Sequence, residues 1–221
     1  MYDCLNRWDL TAAEAKRVQE ALSTKCIEKP LKKEISTVAG VDVAVRNKMT
    51  TAAAVILRYP TLDELETATV TLPVEFPYIP GLLSFREGPV ILEAIGKLKI
   101  RPDLIIFDGQ GRAHPRRLGI ACHMGILLDI PSIGCAKSRL CGKHTEPGIK
   151  RGCHVPLIDN EEVIGAVVRT RTGVKPVYVS VGHRIDLNTS IHFVLECCRG
   201  YRLPETTRRA HRLATTAAPQ Q

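Results

Sequence analysis

Three carboxylates stand in settings that are unfavourable for an isolated charge. Asp42 interrupts the apolar run Val38-Ala39-Gly40-Val41-Asp42-Val43, where a buried charge costs several kcal/mol unless it is paired or bound to a metal. Asp108 closes the run Leu104-Ile105-Ile106-Phe107 and is followed by Gly109 and Gly111, which let another molecule approach the backbone closely. Glu87 stands at the start of the helix that follows a proline-rich loop, where the positive end of the macrodipole favours an anion. Carboxylates on neighbouring strands repel one another unless a cation lies between them, and oxygen donors suit Mg²⁺ or Mn²⁺. Such a site serves phosphodiester hydrolysis, in which divalent ions activate water and steady the leaving oxygen.

The charge of the chain suits a phosphodiester substrate. Its 221 residues carry 31 Lys+Arg against 23 Asp+Glu, a formal net charge of +8. The first hundred residues balance at 13 basic and 13 acidic, whereas the remainder carries 18 basic against 10 acidic. Arg112, Arg116, Arg117, Lys137, Arg139, Lys143, Lys150 and Arg151 share their region with only Asp108, Asp129 and Glu146. A polyanion, of which nucleic acid is the commonest, fits such a patch, and a solvated surface is the alternative.

Other classes are excluded. No apolar run approaches the roughly 18 residues of a spanning helix. The opening Met1-Tyr2-Asp3-Cys4 shows no basic segment followed by an apolar run, so a cytoplasmic location is expected, with the cysteines as thiols. Cys135, Cys141, Cys153 and His154 lack the Cys-x-x-Cys spacing of a structural zinc site.

The elements that must position the acids follow from the apolar pattern. Residues 11–25 open with Thr11, place Glu14 three residues on and repeat Ala12, Ala15, Val18 and Leu22 at helical spacing, which reads as a capped amphipathic helix. Runs rich in β-branched residues at 37–45, 51–59 and 66–73 predict an antiparallel meander. The stretch 76–81, FPYIPG, stiffens a loop. Helical period returns over 84–98, a doubly buried strand is expected at 104–108, then a glycine-rich loop, a helix at 118–128 and a strand at 132–136. Strands at 162–170 and 177–181 and helices at 189–198 and 205–214 complete the pattern, with 215–221 as a frayed tail. No repeat or long linker divides it, so one α/β domain over residues 1–221 is expected, with its core at about 11–214.

Five ordered segments carry a resemblance to a known family. They are AGVDVAV at 39–45, FPYIPGLLSFREGP at 76–89, DGQGRAHPRRLG at 108–119, CAKSRLCG at 135–142 and GHRI at 182–185. Together they resemble endonuclease V, a family that cleaves nucleic acid beside deaminated adenine, over nearly the whole chain. The resemblance implies a single-domain ribonuclease H-like fold, with a central mixed β-sheet flanked by helices. It also implies an Mg²⁺-dependent hydrolase, with Mn²⁺ able to substitute, whose metal ligands are Asp42, Glu87 and Asp108. The expected reaction is cleavage of the second phosphodiester bond 3′ to deoxyinosine in DNA, leaving 3′-hydroxyl and 5′-phosphate ends. An inosine-specific endoribonuclease and a non-catalytic nucleic-acid binder are the alternatives.

Other roles follow from the same resemblance. Tyr78, Ile79 and Pro80 match the wedge that parts the strands beside the lesion, replacing lost stacking with a rigid apolar tip. Gly81, Gly111 and Gly119 are candidates for a main-chain pocket around the extruded base. Lys137 is expected near the scissile phosphate, and His114 and His211 join the catalytic group. Arg86, Arg112, Arg116, Arg117 and Arg139 are expected to hold backbone phosphates. The partner is nucleic acid, and a monomer is expected.

Overall fold

The computed structural model describes residues 7–219, so the reading of Met1 to Cys4 lies outside the described residues. Thr11 opens the chain's first helix, α1 (Ala12–Ser23), with the expected capping box: its hydroxyl accepts from the Glu14 N–H while Glu14 accepts from the Thr11 N–H at 2.8 Å. The meander follows as β1 (Thr37–Arg46), β2 (Met49–Arg58) and β3 (Glu64–Pro73), paired antiparallel. Asn47 and Lys48, both at positive φ, form the two-residue turn between β1 and β2. Helix α2 (Leu83–Gly96) leads to β4 (Leu104–Phe107), α3 (Ile120–Leu128) and β5 (Ser132–Ala136). Three strands come next, β6 (His154–Asp159), β7 (Glu162–Val168) and β8 (Val177–His183), and then the helices α4 (Leu187–Cys197) and α5 (Glu205–Ala217).

Among the described residues, eight strands form one mixed sheet in the order β3-β2-β1-β4-β5-β8-β7-β6. The parallel pairs β1 with β4 and β4 with β5 lie at its centre. Alternation along the central strands sends Val38, Leu104, Ile106 and Ile133 into a core shared with α4 and α5. Ala39, Val41, Ile105 and Phe107 face the opposite way, into a core with α2 and α3. Helices therefore cover both faces, as an α/β sheet with buried central strands requires.

Three expectations are corrected. Strand β6 goes unrecognised in the sequence because Pro156 interrupts it and half its residues are exposed, a pattern tolerated at a sheet edge. Residues 215–217 belong to α5, anchored by the buried Ala214 and Ala218, and Gln220 and Gln221 lie outside the described residues. Helix α2 begins at Leu83, so Glu87 sits beyond its first turn and the macrodipole is not what favours a charge there. Among the described residues no helix is long and apolar enough to cross a membrane.

Candidate active site

Asp42 and Asp108 leave the sheet side by side. Register pairs Val41 of β1 with Phe107 of β4, and the Asp108 N–H reaches the Val41 carbonyl at 3.4 Å, so the next residue on each strand carries a carboxylate. Both side chains are nearly enclosed, at 13% and 11% exposure. Burial raises the Asp42 pKa, the charge of Asp108 raises it further, and His211 and Lys137 pull it back. Glu87 on α2 feels the same pair: burial first, then Asp42, push its carboxyl up to about 8.

Two cations answer these acids. Lys137, directly after β5, forms an ion pair with Asp108, and its carbonyl accepts a hydrogen bond from Arg202 at 2.6 Å. His211 on α5 donates through Nδ1 to Asp42 Oδ2 at 2.6 Å. That reach depends on Gly40, because a Cβ there would lie 2.1 Å from the Thr206 backbone, so only glycine lets α5 rest directly on β1. The buried Asp42 therefore has the partner its sequence setting demanded.

The residues fit a hard divalent cation. Among the described residues no three acidic, histidine or cysteine side chains are drawn together as a ligand cluster, since Asp108 turns to Lys137 and Asp42 to His211. Three carboxylates whose charges press on one another nevertheless form an all-oxygen donor set. A cation of the Mg²⁺ type relieves that repulsion.

Beside the acids opens a cavity of about 290 Å³, walled by the loop Tyr78 to Gly81, by Asp108 to Gln110, by Leu118 to Ile120 and by Lys137 to Leu140. Its size is near the lower end for small-molecule sites. Tyr78 projects from the rim at 66% exposure, with the Arg86 guanidinium 5.8 Å from its ring centre. Gly81, at φ +80°, has its carbonyl fully engaged: it accepts from Gln19 Nε2 at 2.9 Å, His114 Nε2 at 3.0 Å and Arg116 Nη2 at 2.8 Å. Gln19 is a site residue that sequence reasoning missed. Its signal was a polar side chain four residues after Ala15 on the apolar face of α1.

Several expected site residues are placed otherwise. His114 is buried: its Nδ1 accepts from the Arg116 N–H at 3.1 Å, which leaves Nε2–H to donate to Gly81. Burial, despite the Gly81 bond, lowers its pKa to about 4, so it is a neutral brace for the loop and its ring nitrogens are both engaged. Gly111 packs against β8, where a Cβ would lie 2.1 Å from the Val181 carbonyl, and Gly109 and Gln110 line the cavity in its stead. Gly119 does line it, as the N-cap of α3. Arg112 and Arg117 both pair with Glu162, and Arg117 adds Asp159 at 3.0 Å. Arg116 is bound to Gln19 Oε1 at 2.6 Å as well as to Gly81. These three guanidinium groups brace loops, and the partners that hold them, Glu162 and Asp159 for Arg112 and Arg117 and Gln19 and Gly81 for Arg116, lie far along the chain, so a count of local charges overlooks them. Arg139 is exposed, and among the described residues it has no ion-pair partner.

Comparison with known proteins adds independent findings. Residues 20–212 match the family model of Endonuclease V. The Endonuclease V of Roseiflexus sp. (strain RS-1) is 51% identical over 208 residues, 94% of each chain. The crystal structure of the Endonuclease V from Streptomyces avermitilis is similar at a TM-score of 0.91 and 44% identity, covering 95% of this chain and 94% of that one. A Ciona intestinalis Endonuclease V, 28% identical at a TM-score of 0.83 and covering 94% of this chain and 98% of that one, was solved in complex with a 23mer DNA containing an inosine followed by a ribo-adenosine.

Proposed function

The chain belongs to the endonuclease V family and is an endonuclease, and we propose that it is a metal-dependent DNA repair enzyme that hydrolyses the second phosphodiester bond 3′ to deoxyinosine, leaving 3′-hydroxyl and 5′-phosphate ends. The observation that carries this reading is the cluster of Asp42, Glu87 and Asp108 with Lys137 and His211, of which Asp108 and Lys137 wall a cavity of about 290 Å³ rimmed by the exposed Tyr78. The inosine DNA bound by the Ciona relative supports the same substrate class.

Asp42, Glu87 and Asp108 would hold the ion. Mg²⁺, with Mn²⁺ as a substitute, would supply water activation and neutralise charge at the phosphate. Lys137 offers a fixed ammonium to the developing negative charge on that phosphate. His211 orients Asp42 and opposes the rise that burial and Asp108 give to its pKa. Tyr78, Ile79 and Pro80 enter the stack beside the lesion, and the freed base occupies the cavity. Hypoxanthine presents a carbonyl at C6 and a proton on N1. The Gly81 carbonyl is saturated, while no hydrogen bond engages its N–H among the described residues. That N–H suits the C6 carbonyl, whereas the amino group of adenine would meet it donor to donor. Arg86 and Arg139 hold flanking phosphates.

A duplex with one deoxyinosine, incubated with Mg²⁺ or with EDTA and mapped to the nucleotide, tests this reading. The expected result is an Mg²⁺-dependent nick at the second bond 3′ to the lesion. An undamaged duplex cut equally well, or cutting that survives EDTA, would overturn it. The ribo-adenosine in the Ciona complex favours a second reading, inosine-containing RNA as substrate. A matched RNA cut while the DNA stays intact would establish that one.

A further inference from the structure

The cavity that takes the base accounts for only one side of the acids. On the other side, toward the sheet face covered by α5, lies a larger cleft of about 650 Å³ whose walls include Lys137, Tyr201, Arg208, His211 and Arg212. The two spaces share Lys137 as a wall, so one chain of nucleotides can run through both past the carboxylates. Their separation follows from the fold, because α2 and α3 pack on one face of the sheet and α5 on the other.

The chemistry of this cleft differs from that of a plain solvated surface. Tyr201 keeps 49% of its area in solvent. One face of its ring is covered by Arg208, whose guanidinium carbon lies 3.4 Å from the ring centre, and Arg208 is itself tied to Glu205. A pinned aromatic ring backed by a cation is a stacking platform for a nucleobase. Arg208, His211 and Arg212 stand at i, i+3 and i+4 on α5 and so share a helix face, while Ala210 and Ala214 fill the buried face. Arg212 is exposed, and among the described residues its guanidinium has no ion-pair or hydrogen-bond partner. Arg209 is held loosely, 3.5 Å from Glu205 and 3.9 Å from Glu64.

We infer that this cleft seats the DNA strand 3′ to the cut, with the second base beyond the scissile bond stacked on Tyr201 and its flanking phosphates held by Arg212 and Arg209. The polarity rests on the proposed function: with the lesion base in the smaller cavity and the cut on its 3′ side, the chain beyond Lys137 is the fragment that leaves with the 5′-phosphate. The cleft thus grips one product as well as the substrate.

Two measurements test it. In the first, inosine-containing DNA is shortened from its 3′ end until it stops one nucleotide beyond the cut. The wild-type enzyme is expected to lose about tenfold in kcat/KM on truncation. Tyr201→Ala and Arg212→Ala are expected to lose that much on the long substrate and nothing further on the short one, and Tyr201→Phe to behave as wild type. In the second, a 5′-phosphorylated tetradeoxyadenylate and its 5′-hydroxyl counterpart compete at low salt for binding, with no turnover involved. The phosphorylated form is expected to bind about tenfold more tightly to the wild type, and Tyr201→Ala to weaken both forms by about tenfold. Indifference of the wild type to the 5′-phosphate, or equal losses by Tyr201→Ala on long and short substrates, would overturn the assignment. Failure to cut inosine DNA would fault the proposed function instead, since the tetranucleotide preference is read independently of cleavage.

Discussion

His211 Nδ1 lies 2.6 Å from Asp42 Oδ2, although 169 positions separate the two residues in the chain. The bond links the first strand of the sheet to the last described helix and supplies the only histidine hydrogen bond to an acid of the site among the described residues. His211→Ala should lower the single-turnover cleavage rate by about 10²-fold. Its melting temperature should barely move, because the ring is 60% exposed. A rate unchanged within twofold would remove His211 from the catalytic group.

Glu87 gives a pH-dependent signature. Its folded pKa, near 8, lies above the ordinary carboxylate value of 4.5, so the folded chain binds a proton more tightly than the unfolded one. This group's contribution is therefore fullest below about pH 4.5 and is lost as pH rises through about 8. Without a divalent ion, Glu87→Gln should flatten that loss and stabilise the chain at pH 7 by roughly 1–3 kcal/mol. Mg²⁺ should raise the melting temperature of the wild type, and of Glu87→Gln much less. Equal Mg²⁺ shifts in the two proteins would exclude Glu87 as a ligand.

His114 and His123 act in the opposite sense. Both are buried, chiefly by desolvation, with pKa values lowered to about 4 from 6.5. Their contribution is present above about pH 6.5 and lost as pH falls through about 4, because the unfolded chain then takes up the protons more readily. Urea titrations should show this loss, and His123→Gln should reduce it by about 1–3 kcal/mol at pH 4. An unaltered acid limb in that variant would contradict the burial of a neutral ring.

Local patterns and long-range contacts were not equally legible. Thr11 with Glu14, the meander and the strand ending at Asp108 were readable because each rests on neighbours in sequence. Asp42 and Asp108 stood out because an acid in an apolar run needs a reason. Arg112 and Arg117 misled because Glu162, which neutralises both, lies 45 or more residues away. His114 misled for a related cause: its proximity to Asp108 in sequence says nothing of the Gly81 carbonyl that claims its ring. Gly40 gave no sign of its partner, since the requirement for a bare Cα comes from the backbone of Thr206 on the other side of the chain.

That approach gives a sharp steric prediction. Gly40→Ala places a Cβ 2.1 Å from the Thr206 carbonyl, so α5 must lift from β1. The expected cost is about 1–3 kcal/mol of stability. Cleavage should fall by more than stability alone explains, because His211 moves with the helix. A variant that melts and cuts like the wild type would show that α5 sits farther from the sheet than described.

Tyr78→Ala should weaken binding to inosine duplex by about tenfold or more, as expected for loss of a stacking side chain. It should leave Mg²⁺ stabilisation intact. Equal affinities for inosine duplex would withdraw the wedge role.

The three donors that converge on the Gly81 carbonyl bear on how a lesion is told from sound DNA. In the proposed wedge role of Tyr78, a loop fastened so firmly at its base has little conformational entropy left to lose on entering a duplex. Ordering of the protein is then nearly the same for every sequence it meets. What varies from site to site is how readily the DNA opens, which is easiest where a base pair is already weakened. On that proposal the loop is a gauge of fixed shape, and the flexibility being measured belongs to the DNA.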